Sequence, residues 1–152
     1  MRRVLFVCTA NICRSPAAEH LMRHMLSRLG SEERVEVRSA GVMGLAGRPP
    51  DPMMTQLLRR RGIDMSAHRS RGVDPGEARE ATAIIVMERR HRAWFRERMP
   101  HVLDRVSLLR EALDGRKDVT DPIGEGVDRY EACLDLLERA IENLAVTVSY
   151  PS

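Results

Sequence analysis

The sequence predicts a three-layer α/β fold, in which a four-stranded parallel twisted sheet is covered by helices on both faces. Short apolar runs that suit buried strands alternate with longer segments whose apolar residues recur at helical spacing. Stretches rich in glycine and proline separate these segments. With 152 residues, 43% of them hydrophobic, the chain can form one sizeable core, so a single domain is expected over residues 1–152.

The predicted elements alternate along the chain. The strands are the apolar runs at 4–7, 35–37, 83–87 and 106–109. The helices are the segments at 16–30, 53–61, 88–99 and 127–146. Pro16 suits a first helical turn, and Gly30 suits the end of the same helix. In a parallel sheet of this kind, ligands bind beyond the carboxyl ends of the strands.

Composition argues against several classes of protein. Aromatic residues make up 3% of the chain, too few for a platform on which nucleic acid bases stack. The net charge is +3 with both signs mixed, and we interpret the arginine clusters at 59–61 and 89–92 as solvated helix faces. No apolar run approaches the roughly 20 residues that span a bilayer. We therefore expect a cytoplasmic protein without nucleic acid partners or membrane insertion.

The turn after the first predicted strand combines features typical of anion chemistry. Residues 8–16 read CTANICRSP, with Cys8 at the end of the strand and Arg14 and Ser15 at the start of the helix. Backbone N–H groups in a first helical turn lack acceptors, and the helix dipole adds positive charge there. Such a loop can surround one tetrahedral oxyanion while Arg14 grips two of its oxygens. The same surroundings favour the thiolate of Cys8, so we predict attack by sulfur on phosphorus.

This segment resembles the signature loop of the low-molecular-weight protein tyrosine phosphatases. The SAG step at 39–41, His68, the IIVMERRH stretch at 84–91 and the Asp-Pro pair at 121–122 follow in that family's order and approximate spacing. From SAGVMGLAG through MERRH the chain is most similar to the bacterial branch that acts on tyrosine kinases of exopolysaccharide export. The resemblance implies the four-stranded sheet, a hydrolase without a metal or other cofactor, and tyrosine-phosphorylated proteins, such a kinase among them, as partners.

The resemblance also implies a role for each catalytic residue. Cys8 attacks phosphorus to form a phosphocysteine, Arg14 binds the equatorial oxygens, and Ser15 donates a hydrogen bond to the thiolate. Asp121 protonates the leaving phenolate and then activates the water that hydrolyses the thiophosphate. Asp118 is the rival acid. The phosphate-binding loop consists of Thr9, Ala10, Asn11, Ile12 and Cys13.

Further residues are assigned to the surroundings of this loop. By resemblance, Asn11, Ser39 and His68 belong with Ser15 to a hydrogen-bond network that holds its shape, and Asn tolerates left-handed backbone geometry. Cys13 is a candidate redox partner, which could capture an oxidised Cys8 as a disulfide. A spectator thiol is the alternative reading. Cys133 lies on the apolar stripe of the last helix and is expected in the core.

Two departures from the family pattern affect the expected activity. Ala10 replaces the usual glycine, which would strain the loop if that position required a positive φ or close backbone approach. The regions that carry aromatic residues in many relatives hold aliphatic ones or glycine here; they are Met43, Leu45, Ile123 and Gly124. We therefore expect looser selection of the substrate's ring.

Several alternative functions remain open. A related branch hydrolyses phosphoarginine and has Thr where this chain has Ile12, whose bulk favours an aromatic ring. Another branch reduces arsenate but needs cysteines between Cys13 and Cys133, where this chain has none. A non-catalytic phosphopeptide-binding module would need Arg14 but neither Cys8 nor Asp121. His20 and His24 share a helix face but supply only half of a tetrahedral metal site, so no metal is expected.

Overall fold

The computed structural model describes residues 1–115 and 117–150 and contains a four-stranded, all-parallel sheet in the order β2-β1-β3-β4. The strands are β1 (Arg2–Cys8), β2 (Val35–Gly41), β3 (Ala83–Val86) and β4 (Val106–Leu108). The α-helices are α1 (Arg14–Arg28), α2 (Pro52–Arg59), α3 (Pro75–Glu80), α4 (Arg89–Arg98) and α5 (Val127–Ser149). Short 3-10 helices occupy Pro100–Arg105 and Leu109–Ala112. The predicted fold is confirmed, while residues 116, 151 and 152 of the predicted single domain lie outside the described residues.

Strand β1 lies in the centre of the sheet and organises both layers. It pairs with β2 on one side and β3 on the other, so that Val4 lies opposite both Val37 and Ala83. Val4 and Phe6 face the core beneath α1, α2 and α5. Leu5 and Val7 face the smaller core beneath α3 and α4. A continuous apolar run is what a strand buried on both faces requires.

Besides the two 3-10 helices, which the sequence pattern does not indicate, two elements differ from the prediction. The short helix α3 was not predicted because its six residues bury one apolar side chain, Ala78, which leaves no periodic pattern. Its start does follow ordinary rules, since Asp74 accepts a hydrogen bond from the Glu77 N–H and Pro75 occupies the first helical position. Strand β2 continues to Gly41, through small buried residues that the sequence suggested were part of a loop.

The connections that follow the strands meet at the carboxyl edge of the sheet. The N–H of Val42 donates to Cys8 O at 3.0 Å, and the N–H of Met43 donates to Thr9 O at 2.9 Å. On the other side, the Met87 N–H donates to Val7 O at 3.1 Å, and the Val119 N–H donates to Met87 O at 2.7 Å. The turn after β1 is therefore held between the segments that follow β2 and β3, at the edge where parallel sheets bind ligands. No helix in the described part of the chain combines the length and apolarity needed to span a membrane.

Candidate active site

The turn from Cys8 to Ser15, which we call the 8–15 loop, presents a set of unused backbone donors. Among the described residues, no acceptor takes a hydrogen bond from any backbone N–H between Thr9 and Ser15. The loop ends at the N-terminus of α1, where the helix dipole adds partial positive charge. Asn11 has φ +61°, the only positive φ of a non-glycine residue in the described chain, so the turn is tight. Seven amides and a helix start together form a site for an oxyanion.

Cys8 and Ser15 are joined across the base of this loop. The Cys8 Sγ lies 2.9 Å from Ser15 Oγ, and both side chains are buried. The Asn11 Nδ2 donates to the same hydroxyl oxygen at 2.8 Å, which leaves the hydroxyl hydrogen free to point at sulfur. Ala40 O, the competing acceptor, is 3.4 Å away. The arrangement suits a thiolate that accepts a hydrogen bond from Ser15.

Asn11 connects the loop to β2 and to the segment before α3. Its Nδ2 also donates to Ser39 Oγ at 2.9 Å, and its Oδ1 accepts from the Arg71 N–H at 3.0 Å. His68 Nε2 lies 2.8 Å from Asn11 O, and because a carbonyl only accepts, that nitrogen carries the hydrogen. Burial lowers the pKa of His68, which favours its neutral form. The structure thus brings Asn11, Ser15, Ser39 and His68 together in one hydrogen-bond network.

Glu19 extends this network beyond the predicted residues. The Ser39 hydroxyl donates to Glu19 Oε1 at 2.5 Å, and Arg23 pairs with Glu19 Oε2 at 2.5 Å. Asp51 supports the other end of the loop, because its N–H donates to Ile12 O at 2.7 Å while its carboxylate caps α2 and accepts from Tyr130. The loop is therefore tied to α1, β2, α2 and α5.

Gly41 is required by close packing against the 8–15 loop. A Cβ at this position would lie 2.7 Å from Thr9 O and 2.9 Å from both Ala10 C and Asn11 N. Such distances are shorter than any van der Waals contact allows, so only glycine fits without displacing the loop. Ala10 itself does not have a positive φ, so the strain that its methyl group would bring under that condition does not arise.

The guanidinium of Arg14 is buried and held on one side. Its Nη1 donates to Glu88 Oε2 at 2.5 Å and to Val119 O at 2.8 Å. Its Nη2 is 3.4 Å from Thr9 Oγ1 and 3.7 Å from Asp121 Oδ2. Burial opposes the charge of Arg14, but Cys8 and the hydrogen bond to Glu88 raise its pKa above the usual value. The fork is thus fixed through Nη1, while Nε forms no hydrogen bond with the described residues.

Thr9 receives hydrogen bonds from α4 at the rim of the loop. His91 Nδ1 accepts from the Glu88 N–H at 3.1 Å, so its Nε2, 2.9 Å from Thr9 Oγ1, is the protonated nitrogen. Arg90 Nη2 donates to the same hydroxyl at 2.7 Å. Burial and the neighbouring Arg14 lower the pKa of His91 to about 4, so this imidazole is neutral at physiological pH.

The segment 117–126, which we call the 117–126 loop, carries both candidate acids. Asp118 Oδ1 accepts from the backbone N–H and the Nε of Arg89, at 2.8 and 3.3 Å, and is therefore committed to the start of α4. Asp121 is more exposed, at 39%, and its Oδ2 faces Arg14. Its other oxygen accepts from the Ile123 N–H at 3.1 Å. This geometry favours Asp121 over Asp118 as the group that reaches the 8–15 loop.

All three cysteines are free and buried. Burial raises the pKa of Cys13 well above its usual value, and nearby Cys133 adds to the effect. Burial also raises the pKa of Cys133, to about 12. Cys133 lies in the core, as predicted, together with Cys8 and Cys13. Both Cys13 and Cys133 are therefore protonated thiols at neutral pH.

The rim of the site is aliphatic. Met43 and Ile123 are among the few large apolar residues that are strongly exposed, at 59% and 41%. The Met43 N–H donates to Thr9 O of the 8–15 loop. The Ile123 N–H donates to Asp121, whose other carboxylate oxygen faces Arg14. His20 Nδ1 contacts Pro16 O, and its ring packs edge-on against His68. Within residues 1–115 and 117–150, no three His, Cys, Asp or Glu side chains are grouped as metal ligands.

Sequence reasoning assigned no role to four residues that shape this site. They are Glu19, Gly41, Glu88 and His91. The sequence did contain a signal for the last two, since MERRH directly follows a predicted strand and therefore comes to the carboxyl edge of the sheet. Gly41 offered a weaker signal, as a glycine at the end of a strand. The approach of its backbone to residues 9–11 is visible only in three dimensions.

Comparison with known proteins agrees with this geometry. Residues 3–150 match the family model described as low molecular weight phosphotyrosine protein phosphatase. The chain is 35% identical to a protein-arginine-phosphatase of Geobacillus stearothermophilus, covering 94% of this chain and 93% of that protein. It is 34% identical to the low molecular weight protein-tyrosine-phosphatase Etp of Escherichia coli K12, covering 96% and 94%. A crystal structure of a YwlE mutant from Bacillus subtilis superposes with a TM-score of 0.92 at 29% identity, covering 99% of this chain and 100% of that one.

Proposed function

The chain belongs to the low molecular weight phosphotyrosine protein phosphatase family, and from this premise we propose that it hydrolyses phosphotyrosine in proteins through a phosphocysteine intermediate. The observation that carries the proposal is the set of seven backbone N–H groups, from Thr9 to Ser15, without an acceptor in the described protein. They belong to the loop that follows the buried Cys8, whose sulfur lies 2.9 Å from the Ser15 hydroxyl oxygen. A phosphoryl group supplies the oxygens that these donors lack, and it presents phosphorus to Cys8.

The first half of the reaction transfers the phosphoryl group to sulfur. The Cys8 thiolate attacks phosphorus, the P–O bond to the phenol breaks, and Asp121 gives its proton to the leaving oxygen. The amides of the 8–15 loop and the Nε and Nη2 of Arg14 bind the three equatorial oxygens, over which negative charge is spread in the transition state. Ser15 stabilises the sulfur as an anion before attack.

The second half restores the enzyme. Asp121, now a carboxylate, accepts a proton from water, and the resulting nucleophile attacks phosphorus as the S–P bond breaks. Inorganic phosphate leaves, and Cys8 returns as a thiolate held by Ser15. No step requires a metal ion. Cys13 lies next to Arg14 on the same loop, and we propose it as the thiol that traps an oxidised Cys8 as a disulfide.

Tyrosine-phosphorylated proteins are the proposed substrates, and a tyrosine kinase of exopolysaccharide export is the physiological target suggested by the family resemblance. The exposed aliphatic side chains of Met43 and Ile123 can pack against an aromatic ring. Ile12 of the 8–15 loop is apolar and bulky, which disfavours a charged guanidinium. We propose that the enzyme acts in the cytoplasm, as the sequence leads us to expect. Residues 1–152 are proposed to form one phosphatase domain, because all four strands join one sheet.

Phosphoarginine is the second candidate substrate. The 35% identity to an arginine phosphatase, over almost all of both chains, is the observation that favours it. The choice between the two can be measured directly by comparing kcat/KM for two peptides that differ only in phosphotyrosine or phosphoarginine. We expect at least tenfold preference for phosphotyrosine, and a shift toward phosphoarginine in Ile12→Thr. A preference for phosphoarginine in the unmodified protein would make that reaction the function.

The covalent mechanism is tested by Cys8→Ser. We expect the unmodified protein to hydrolyse p-nitrophenyl phosphate in the presence of a chelator, to be inhibited by vanadate, and to release a burst of nitrophenol before steady state. Cys8→Ser should lose at least about 10⁴-fold in kcat while still binding phosphate. Cys133→Ser is the matched control for loss of a buried thiol outside the loop. Retained turnover in Cys8→Ser would rule out the phosphocysteine.

A further inference from the structure

Helix α4 carries a concentration of positive charge that the proposed reaction does not use. Its ten residues include five arginines and one glutamate, a formal charge of +4 with His91 neutral, whereas the whole chain carries +3. The remainder of the protein is therefore close to neutral. Arg89, Arg92 and Arg96 are spaced three and four residues apart and share one face of the helix.

This face forms one wall of a groove against the edge strand of the sheet. The groove has a volume of about 380 Å³. It is lined by Arg89, Arg92, Arg96, Val106, Leu108 and Glu111. The floor is apolar, because Val106 and Leu108 belong to β4, and the charge comes from the helix. We call it the α4–β4 groove. Its lining has three arginines and one glutamate, so its net charge is positive.

Two of the three arginines have no partner within the described protein. Arg89 pairs with Asp118 at 3.3 Å, but the side chains of Arg92 and Arg96 form no hydrogen bond or ion pair with residues 1–115 or 117–150. Arg92 is half-buried, so part of its side chain packs against the protein beside the groove. In the other arginine cluster, Arg61 is bound by both Asp135 and Glu138. Arg59 lies 4.0 Å from Asp64, so only the side chain of Arg60 lacks a partner there among the described residues.

The α4–β4 groove begins at the candidate active site. Arg90 donates to Thr9 of the 8–15 loop, and Arg89 binds Asp118 of the 117–126 loop, so the first turn of α4 forms part of the rim. From Arg89 to Arg96 the helix rises by about 10 Å. An extended peptide covers this distance with about three residues. A chain that leaves the active site along α4 would bring its next few side chains to these arginines.

We propose that the α4–β4 groove binds an acidic stretch of the phosphoprotein substrate, located within about six residues of the phosphorylated side chain. The proposal deepens the proposed function and rests on it. Glutamate or aspartate side chains in this stretch would complete the ion pairs that Arg92 and Arg96 lack. A membrane surface fits this face less well, because none of the strongly exposed large apolar residues lies on α4. A single-stranded nucleic acid also fits less well, because its bases need exposed aromatic rings to stack on. The ring of Trp94 on α4 is already covered by the Arg98 guanidinium, which lies 5.1 Å from the ring centroid.

The test compares phosphotyrosine peptides of matched sequence. One has three glutamates at positions 3 to 5 after the phosphotyrosine, one has them before it, and a third has glutamine at all of these positions. For the unmodified protein at low salt, we expect kcat/KM to be about three- to tenfold higher for one of the acidic peptides. The preference should shrink as salt shortens the screening length to about 8 Å. Arg92→Gln/Arg96→Gln should reduce it below twofold, with p-nitrophenyl phosphate hydrolysis unchanged.

Arg59→Gln/Arg60→Gln is the matched control, because it removes the same charge from exposed positions at the end of α2, on the opposite face of the sheet. This control should keep the preference. Equal effects of both double variants, or no preference for acidic peptides, would overturn the α4–β4 proposal, while hydrolysis of the neutral peptide would leave the proposed function standing.

Binding to Cys8→Ser, followed by fluorescence anisotropy, gives a readout that does not need turnover. We expect the acidic phosphopeptide to bind this variant more tightly than the neutral one, and Arg92→Gln/Arg96→Gln in the same background to remove the difference. Tighter Arg92- and Arg96-dependent binding to a 20-nucleotide RNA or to phosphatidylglycerol vesicles at the same salt would assign the surface to another partner and overturn the proposal.

Discussion

The 8–15 loop and the 117–126 loop meet at Arg14 but are built in different ways. The 8–15 loop is held from several directions by buried groups, with Asn11 alone forming four hydrogen bonds through its side chain and carbonyl. The 117–126 loop is fixed near its start, where Val119 is buried and pairs with Met87 and Arg14. Two residues later, Asp121 is 39% exposed. The 8–15 loop is held at many points along its length, whereas the 117–126 loop carries its partly exposed acid just beyond a held segment.

This difference corresponds to two demands of phosphoryl transfer. The oxyanion site must be arranged before the substrate arrives, because donors that reorganise during the reaction lose their advantage. The acid must approach a leaving group whose position depends on the substrate, and it must then admit water. An acid carried just beyond a fixed point can do both. We therefore expect a substitution in the 117–126 loop to lower the catalytic rate with little change in stability. A substitution that displaces the 8–15 loop should lower both.

Among substitutions that should leave stability unchanged, Asp121→Asn should cause the largest loss of kcat. Asp121→Asn should lower kcat for phenyl phosphate by about 10²- to 10⁴-fold, because the phenolate then leaves without a proton. The loss should be much smaller for p-nitrophenyl phosphate, whose leaving group needs no proton. The free energy of unfolding should change by less than about 0.5 kcal/mol, since the side chain is exposed. Steady-state kinetics and urea unfolding measure both quantities.

Asp118→Asn is the control for this substitution within the same loop. It should weaken the contact to Arg89 and leave the dependence on leaving group intact. If Asp121→Asn slowed both substrates equally while Asp118→Asn removed the dependence on leaving group, the acid would be Asp118.

The next largest effect is expected at Glu88, which fixes Arg14 from outside the 8–15 loop. Burial opposes its ionisation, but hydrogen bonds from Arg90 and Arg14 lower the pKa of Glu88 below the usual value, so it is a carboxylate at neutral pH. Glu88→Gln should reduce kcat/KM by about 10- to 100-fold, because a misplaced guanidinium binds the transition state poorly. Glu97→Gln, in the same helix but exposed, should leave kcat/KM unchanged.

The role of Glu88 would be contradicted by a variant with normal kcat/KM and a normal affinity for vanadate, which mimics the transition state. A loss of kcat/KM with unchanged vanadate affinity would also argue against positioning of Arg14, because the two should fall together.

The fold could be predicted from the sequence to a large extent, and the centre of the site as well. Alternating apolar runs and amphipathic segments identified all four strands and the four longer helices. Cys8 and Arg14 could be found because a strand-to-helix turn puts them on one loop, so local sequence decides their proximity. Asp121 could be identified only by resemblance, because it lies more than 100 residues away and nothing local links it to Cys8.

The supporting residues were missed for a related reason. Glu19, Gly41, Glu88 and His91 act through contacts between segments that are distant in sequence, and the pattern of each segment is satisfied without them. Glu19 lies within the predicted first helix, where an acidic residue is expected to face solvent, yet it is only 7% exposed. Sequence patterns report which face of an element is apolar. They do not report which buried polar groups meet across elements.

Glycine-to-alanine substitutions can compare the two loops directly. Gly41 packs against the 8–15 loop, and Gly126 is the last residue of the 117–126 loop. Gly41→Ala places a Cβ 2.7 Å from Thr9 O, so the 8–15 loop must move, and we expect a loss of about 1–3 kcal/mol in stability and roughly tenfold in kcat. Gly126→Ala meets no atom within 4 Å and has a φ of −76°, which alanine adopts without strain. It should change stability by less than about 1 kcal/mol. Similar losses in the two variants would contradict the difference between the loops.

The smallest effect concerns the pH dependence contributed by His91, which holds Thr9 at the rim. The pKa of His91 is about 4 in the folded protein, against about 6.5 for an unfolded histidine. Between these values the unfolded chain binds the extra proton, so stability is complete above pH 6.5 and falls as pH decreases toward 4. His91→Gln removes this contribution. Relative to the variant, the unmodified protein should lose on the order of 2 kcal/mol in urea unfolding between pH 7 and pH 4.5. His101→Gln, which changes an exposed histidine, is the control, and its free energy of unfolding should follow that of the unmodified protein at every pH. If the curves of unfolding free energy against pH were parallel for His91→Gln and the unmodified protein, protonation of His91 would not destabilise the folded state.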